Sequence, residues 1–205
     1  MGLRERKKEK TARAIEEAAV RLFAERGYDA TTIADIAEAA EIAPRTFFSY
    51  FPSKESVLFS DFDAKFRSLA DRLAARGDAD VLDAVRAWIT EMLDAEGVPD
   101  QLMIARHQVI DDNEELLAFE RQLTTRFEGV IAEAVAVETG LEPQDLHPRL
   151  IAAATAAGLG VLRPAPGTPE PAGLAEALEP LDDVLAFLRA GVLALDRRRQ
   201  DPSRT

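Results

Sequence analysis

Residues 12–58 read ARAIEEAAVRLFAERGYDATTIADIAEAAEIAPRTFFSYFPSKESVL, and the spacing of their apolar, capping and breaking residues decides the fold. Apolar positions at Ile15, Ala19, Leu22 and Phe23 recur at helical spacing, which predicts a first helix from about Lys8 to Arg26, closed by Gly27. Thr32 precedes the next apolar set (Ile33, Ile36, Ala37, Ala40) and stands three residues before Asp35, a capping-box spacing. Pro44 suits the first position of a third short helix, because its missing N–H would be unpaired there anyway. Pro52 ends that helix. Ser53 is then expected to cap a long fourth helix carrying Val57, Leu58, Phe62, Phe66, Leu69 and Leu73.

Two short helices separated by four residues, with a longer helix before them, have the layout of a helix-turn-helix DNA reader. In that layout Arg45, Thr46 and Ser49 point outward, while Phe47 and Phe51, four apart, anchor the inner side, with Phe48 as a third candidate for it. Arg45 has the fork geometry for guanine O6 and N7. Thr31, Thr32, Tyr50 and Lys54 sit near helix ends, where hydroxyls, an ammonium and free N–H groups hold phosphates. The arm from Arg4 to Arg13 carries six basic and two acidic residues, a composition that follows a phosphate backbone or enters the minor groove.

The same stretch resembles the DNA-binding domain of the TetR family of bacterial transcriptional regulators. The matching features are Ala18 and Ala19 followed by Leu22 and Phe23, then Gly27–Tyr28, Thr31–Thr32, Ile36–Ala37, Thr46 with aromatics after it, and Tyr50–Phe51 before Ser53, Lys54 and Glu55. The likeness covers roughly residues 12–60. It departs at the turn, where Glu41, Ile42 and Ala43 stand in place of the common Gly-Val-Ser, and at Arg45, which replaces a frequent glycine. Ala43 therefore lacks a capping hydroxyl, and Arg45 changes which base is read. The resemblance implies an all-α homodimer, each subunit giving one reader helix to a half-site of a palindromic double-stranded operator. It assigns phosphate contacts to Thr31 or Thr32, Thr46, Tyr50 and Lys54, and base contacts to Pro44, Arg45 and Ser49. Arg13, in the basic arm, joins them as a DNA contact.

The whole chain supports two parts with different partners. It has 205 residues, 36 of them alanine, no cysteine and two histidines, His107 and His147. Disulfides, thiolate nucleophiles and cysteine-ligated metals are excluded at once. The net charge is −12, which at first argues against nucleic acid, yet residues 1–54 hold ten Lys/Arg against nine Asp/Glu and the rest of the chain carries the acid. No apolar run approaches the roughly 18–20 residues of a membrane span, and a cytoplasmic protein with no membrane partner is expected. The expected organisation is 1–54 as reader with its basic arm, 55–197 as a helical effector-binding and dimerisation domain, and 198–205 as a polar tail.

Helices are expected near 79–95, 100–110, 113–139, 144–162 and 174–195, with Asn113 capping the third of these and Pro180 breaking the last, kinking it or marking its first turn. Four prolines and two glycines between Arg163 and Gly173 read as a loop. The small residues 152–160, among them Ala153, Ala157 and Gly160, let helices approach closely and pair with Leu185, Leu188 and Val192 as a candidate four-helix dimer interface, unless they pack only inside the monomer. An unidentified small-molecule effector is expected among the middle helices, against Trp88, Met92, Met103 and Phe127, with Arg106 and His107 for charge or hydrogen bonds. Phe119 is a further candidate wall. His107 and Asp111 lie one turn apart but lack further metal ligands, and no nucleophile accompanies the paired acids. No cofactor, metal or catalytic set is therefore expected, and the chain reads as a ligand-responsive repressor. Glu41 and Ala43 leave one alternative: a helical ligand-binding or interaction protein whose helix-turn-helix does not grip DNA.

Overall fold

The structure, a computed structural model, describes residues 2–97, 101–163 and 171–200, with no side-chain description for a few of these near the helix ends. Among them the chain is all-α: α1 Leu3–Arg26, α2 Ile33–Ala39, α3 Pro44–Phe47, α4 Phe62–Ala74, α5 Val81–Glu96, α6 Gln101–Asp111, α7 Glu114–Thr139, α8 Leu146–Val161 and α9 Leu174–Gln200, with a 3₁₀ turn at Glu55–Val57. The chain divides into two compact units. The first holds residues 1–63 and 100–121, with a short piece at 165–167 outside the described residues; the second holds 64–99, 122–164 and 168–205.

In the first unit α1 packs on α2 and α6, and α2 on α3. Its core joins Ile15, Leu22 and Phe23 of α1 to Ile36, Phe47, Phe51, Val57 and Leu58, and to Val109, Ile110 and Leu116 from far along the chain. The unit thus reaches beyond residue 54 because α6 and the start of α7 complete the apolar face of α1. Helix α1 begins at Leu3, five residues before the expected start. The arm RERKKEK contains no breaker, its Arg, Lys and Glu are good helix formers, and the Glu5 carboxylate accepts the Gly2 N–H at 2.8 Å. Gly27 closes α1 at φ 88°, a region open to glycine at little cost.

The expected fourth helix from Ser53 does not form as one element. Ser53 and Ser56 exchange hydrogen bonds around the 3₁₀ turn, and α4 starts only at Phe62. Val57 and Leu58 fill the first core, while Leu69 and Leu73 fill the second. Between them Ser60 donates to Glu16 at 2.5 Å and Asp61 faces Arg106 at 3.6 Å, so the linking residues serve tertiary partners rather than an uninterrupted helix.

The second unit packs α5 and α8 against α9. Leu73, Val81, Val85, Trp88, Ile131, Val135, Ile151, Leu181 and Leu185 make its core. Helix α8 approaches α9 at Gly158, where a Cβ would fall 2.6 Å from Val184 Cγ1. Asn113 caps α7 as expected, its Oδ1 accepting from Glu115 and Leu116 N–H. Pro180 lies inside α9, which continues past it to Gln200 rather than starting or ending there. Most of the expected 163–173 loop, and 201–205 of the polar tail, lie outside the described residues.

Two arginines tie α5 and its cap to α9. Arg86 holds Asp182 with two N–H groups at 2.6 and 2.9 Å, and Arg189 reaches both Asp80 and Asp83. Burial alone would raise the Asp80 carboxyl, but the Asp83 N–H and the Arg189 guanidinium outweigh it and hold it below its ordinary value. A carboxyl held low in the fold contributes stability above its unfolded pKa, about 3.9, and loses it as pH falls through the folded value. Arg189→Met is therefore expected to cost about 0.5–1 kcal/mol at neutral pH in urea unfolding, screened because the pair is partly exposed. The difference from the parent protein should shrink as pH falls below about 3.9 and through the folded value, and a difference that does not diminish at all on acidification would contradict the assignment.

Candidate nucleic-acid interface

The reader is built from the inside. Phe47 is 0% exposed and Phe51 is buried, their rings 5.8 Å apart, so the α3 turn is bolted to the core from behind. Past α3 the helical sense continues, with Tyr50 and Phe51 N–H both donating to Phe47 O at 2.9 and 3.0 Å. Arg45, Phe48 and Ser49 then share one outward face by their i, i+3, i+4 spacing, and all three are exposed. Pro44 is exposed at the first helical position, and Thr46 and Tyr50 are half-buried at its flanks. No ion pair ties up Arg45 among the described residues.

Helix α2 starts on the expected box: Asp35 N–H donates to Thr32 Oγ1 at 3.2 Å, and Thr32 N–H donates to Asp35 Oδ2 at 2.8 Å. Hydrogen bonds from the Thr32 hydroxyl and N–H hold the Asp35 carboxyl below its ordinary range. Helix α2 ends in a Schellman motif, with Ile42 N–H donating to Ala37 O and Glu41 N–H to Glu38 O. Glu41 sits at φ 55°, the left-handed conformation a side chain resists. This is the position where the expected family pattern has glycine. Glu41→Gly is expected to raise unfolding stability by about 1 kcal/mol, read by urea titration. A neutral or destabilising result would show that the Glu41 side chain offsets the strain.

Two of the expected phosphate residues have other duties. Thr31 is 1% exposed, and its hydroxyl donates to Gly27 O at 2.8 Å, with Leu22 O at 3.3 Å. That hydroxyl is internal, so of the pair left open by the sequence only Thr32 faces solvent. Lys54 Nζ donates to Tyr28 O at 2.7 Å and Thr31 O at 3.1 Å, and lies 4.0 Å from the Tyr28 ring centroid. It clamps the α1–α2 loop. Burial, with Glu55 nearby, pushes the Tyr28 phenol well above its ordinary value, so the ring stays neutral beneath the ammonium. Arg13 is exposed on α1 and pairs with Glu17 one turn on at 2.9 Å. Sequence reasoning placed Phe48 with the inner aromatics as a candidate, but it is 57% exposed and meets Phe47 edge-on at 5.6 Å. A helix turn has room behind it for two of three neighbouring aromatics, and the 100° step from Phe47 turns Phe48 outward.

The six expected effector residues fall three to each unit. Trp88, Met92 and Phe127 belong to the second, with Trp88 Nε1 donating to Ser68 Oγ at 3.2 Å and the Trp88 and Phe127 rings 6.1 Å apart. Met103, Arg106 and His107 ride on α6 in the first, where Arg106 faces Asp61. Phe119 packs on Phe59 in the first unit as well. A groove of about 430 Å³ in the first unit is lined by Phe23, Arg26, Tyr28, Asp29, Gln108 and Asn113 among others, and by none of those six.

The expected dimer face divides too. Ala153, Ala157 and Gly160 are exposed on α8, beside exposed Leu146, Leu150 and Val161. Val192 is half-buried against the core of the second unit, while Leu185 and Leu188 are buried in it, so these two are not surface residues of α9. Its outward apolar groups are Phe187, 79% exposed, and Leu193, with Ala186, Ala190 and Ala194 around them. The larger aliphatics were the stronger signal in the sequence, but α8 takes them. Phe187, alone among small residues one helical face away, was the signal that marked the free side.

Comparison with known proteins agrees with this architecture. Residues 15–60 match the family model for bacterial regulatory proteins of the tetR family, and residues 79–193 match that of the MftR C-terminal domain. The HTH-type transcriptional regulator TcmR of Streptomyces glaucescens is 33% identical over 160 residues, 74% of this chain and 71% of that protein. MftR of Mycobacterium tuberculosis, named for transcriptional regulation of mycofactocin biosynthesis, is 32% identical over 154 residues, 72% of this chain and 75% of its own. Among solved structures, GusR of Salmonella enterica superposes with a TM-score of 0.57 at 16% identity, covering 90% of this chain and 94% of that one. That last likeness concerns fold alone. With a reader helix bolted at Phe47, a family model matched across each part and relatives aligned over most of their length, the chain belongs to the TetR family of bacterial transcriptional regulators.

Proposed function

We propose that the protein is a ligand-responsive repressor that binds a palindromic operator as a homodimer. The observation that carries this reading is the exposed Arg45–Ser49 face on a helical turn locked from behind by Phe47 and Phe51. Arg45 reads guanine through its fork, and Ser49 and Pro44 contact neighbouring bases. Thr32, Thr46 and Tyr50 hold phosphates, Arg13 adds charge from α1, and Lys54 reaches the backbone with the N–H its clamp leaves over. The exposed apolar strip of α8 and α9, centred on Ala153, Ala157, Gly160 and Phe187, pairs with its copy in a second subunit, which removes it from water.

The effector is a small molecule of largely apolar character, taken up in the second unit where Trp88, Met92 and Phe127 gather. Met103, Arg106 and His107, on α6, respond to it from the reader unit. Binding weakens DNA affinity only to the extent that the ligand prefers the shape unable to bind DNA: tenfold relief needs about 1.4 kcal/mol of differential affinity. Selection of duplexes from a random-sequence pool by the full-length protein, followed by mobility shift, tests the central point. Enrichment of an inverted repeat bound by two subunits is expected. A pool that stays random after repeated rounds would sink the reading.

A further inference from the structure

Where α1 gives way to the loop before α2, the first unit holds a groove of about 430 Å³, a volume in the range of small-molecule sites. Every lining residue belongs to that unit and comes from 23–30 or 108–113. Phe23, Tyr28 and Val109, all buried in the core, give the groove an apolar floor. Arg26, Asp29 and Asp112 stand exposed around it, so one cation is outnumbered by two carboxylates. The neighbouring ammonium of Lys54 is not in the lining and donates to Tyr28 O and Thr31 O.

Backbone polarity has the same sign. Helix α1 ends at Arg26 and α6 at Asp111, so two helix C-termini, each with a partial negative charge, border the groove. The N-terminus of α7 lies there too, but Asn113 Oδ1 accepts its Glu115 and Leu116 N–H groups, and Glu114 and Glu115 occupy its first turn. The Tyr28 phenol registers the field: after burial, the carboxylates of Glu55, Asp29 and Glu115 raise it further above its ordinary value.

We propose that this groove binds a small organic cation, an ammonium group on an aryl or alkyl body, in a different unit from the effector site proposed above. The body lies on Phe23, Tyr28 and Val109, and the charged head meets Asp29 and Asp112. An anion has only Arg26 in its favour, against both carboxylates and both helix ends. The occupant rests on the loop Gly27–Ala30, which runs on to Thr32, the cap of α2, so it bears on the segment that sets α2 in place.

Phenethylammonium is the probe, titrated into the full-length protein without DNA at ~50 mM salt, where charges are only partly screened. Ligand-observed NMR should give a dissociation constant of about 1 mM. Phenylethanol and phenylacetate keep the ring and replace the ammonium, and should bind at least about tenfold more weakly. Asp29→Asn combined with Asp112→Asn should weaken the ammonium about tenfold. Ala24→Leu, at an exposed position of the wall, should fill the groove and weaken it at least as much. Thermal melts of both variants should match the parent, because all three side chains are exposed. Equal affinity for the three probes, binding unchanged in either variant, or no binding up to about 10 mM overturns the site. Each of those results leaves the DNA-reading proposal standing.

Discussion

Phe187→Arg is expected to leave the fold intact and to turn the proposed homodimer into a monomer, lowering operator affinity by at least about 100-fold. The side chain is 79% exposed on α9, so a charged replacement meets water in the isolated subunit and no cavity opens in the core. In a symmetric pair the same patch contacts its copy, and the change is felt twice. Each lost phenyl forgoes about 1.5–3 kcal/mol of burial, and each new guanidinium must be stripped of water without a partner. A monomer holds one half-site, and the avidity lost with the second is about 10²–10⁴. Sedimentation velocity and mobility shift read the two effects together. A variant that remains dimeric at micromolar concentration and binds the selected duplex unchanged would place the subunit contact elsewhere.

What the sequence made legible divides along local and non-local lines. The box at Thr32 and Asp35, the cap at Asn113, the turn at Pro44 and the inward pair Phe47 and Phe51 all rest on spacings under five residues, and each is present. Lys54 was legible as a residue near a helix end but not as the clamp on Tyr28 O and Thr31 O, because those carbonyls lie 26 and 23 residues away. The same limit hid α6. Val109 and Ile110 complete the core around Ile15 and Phe23, a pairing across more than eighty residues that no periodicity reveals. Charge drew a line near residue 54, whereas the burial of Val109, Ile110 and Leu116 brings the exposed Asp111, Asp112, Glu114 and Glu115 into the same unit as α1–α3. In α9 the sequence offered two apolar faces, and the burial of Leu181, Leu185 and Leu188, with Val184 close against Gly158, shows which one the fold keeps.

Lys54→Met separates two roles that the sequence alone merges. If the ammonium served only a phosphate, its removal would leave folding unchanged and would reduce the salt dependence of DNA binding by about one ion. The geometry assigns it more. Its Nζ donates to Tyr28 O at 2.7 Å and Thr31 O at 3.1 Å from a partly buried position, and the Tyr28 ring lies beneath it at 4.0 Å. Hydrogen bonds from a charged donor contribute about 1.5–3 kcal/mol, and a cation over a ring about 0.5–1 kcal/mol more at an exposed site. Methionine keeps the length and apolar stem but leaves two carbonyls short of a donor, so a loss of about 2–3 kcal/mol in urea unfolding is expected. The clamp also fixes the loop that ends at Thr32, the cap of α2, so its loss should loosen α2 and with it the α3 turn that α2 supports. Operator affinity should then fall more than one lost phosphate contact explains, while non-specific binding falls only by that contact. An unchanged unfolding midpoint with a lower salt slope would reduce Lys54 to a phosphate ligand and remove the clamp from the mechanism.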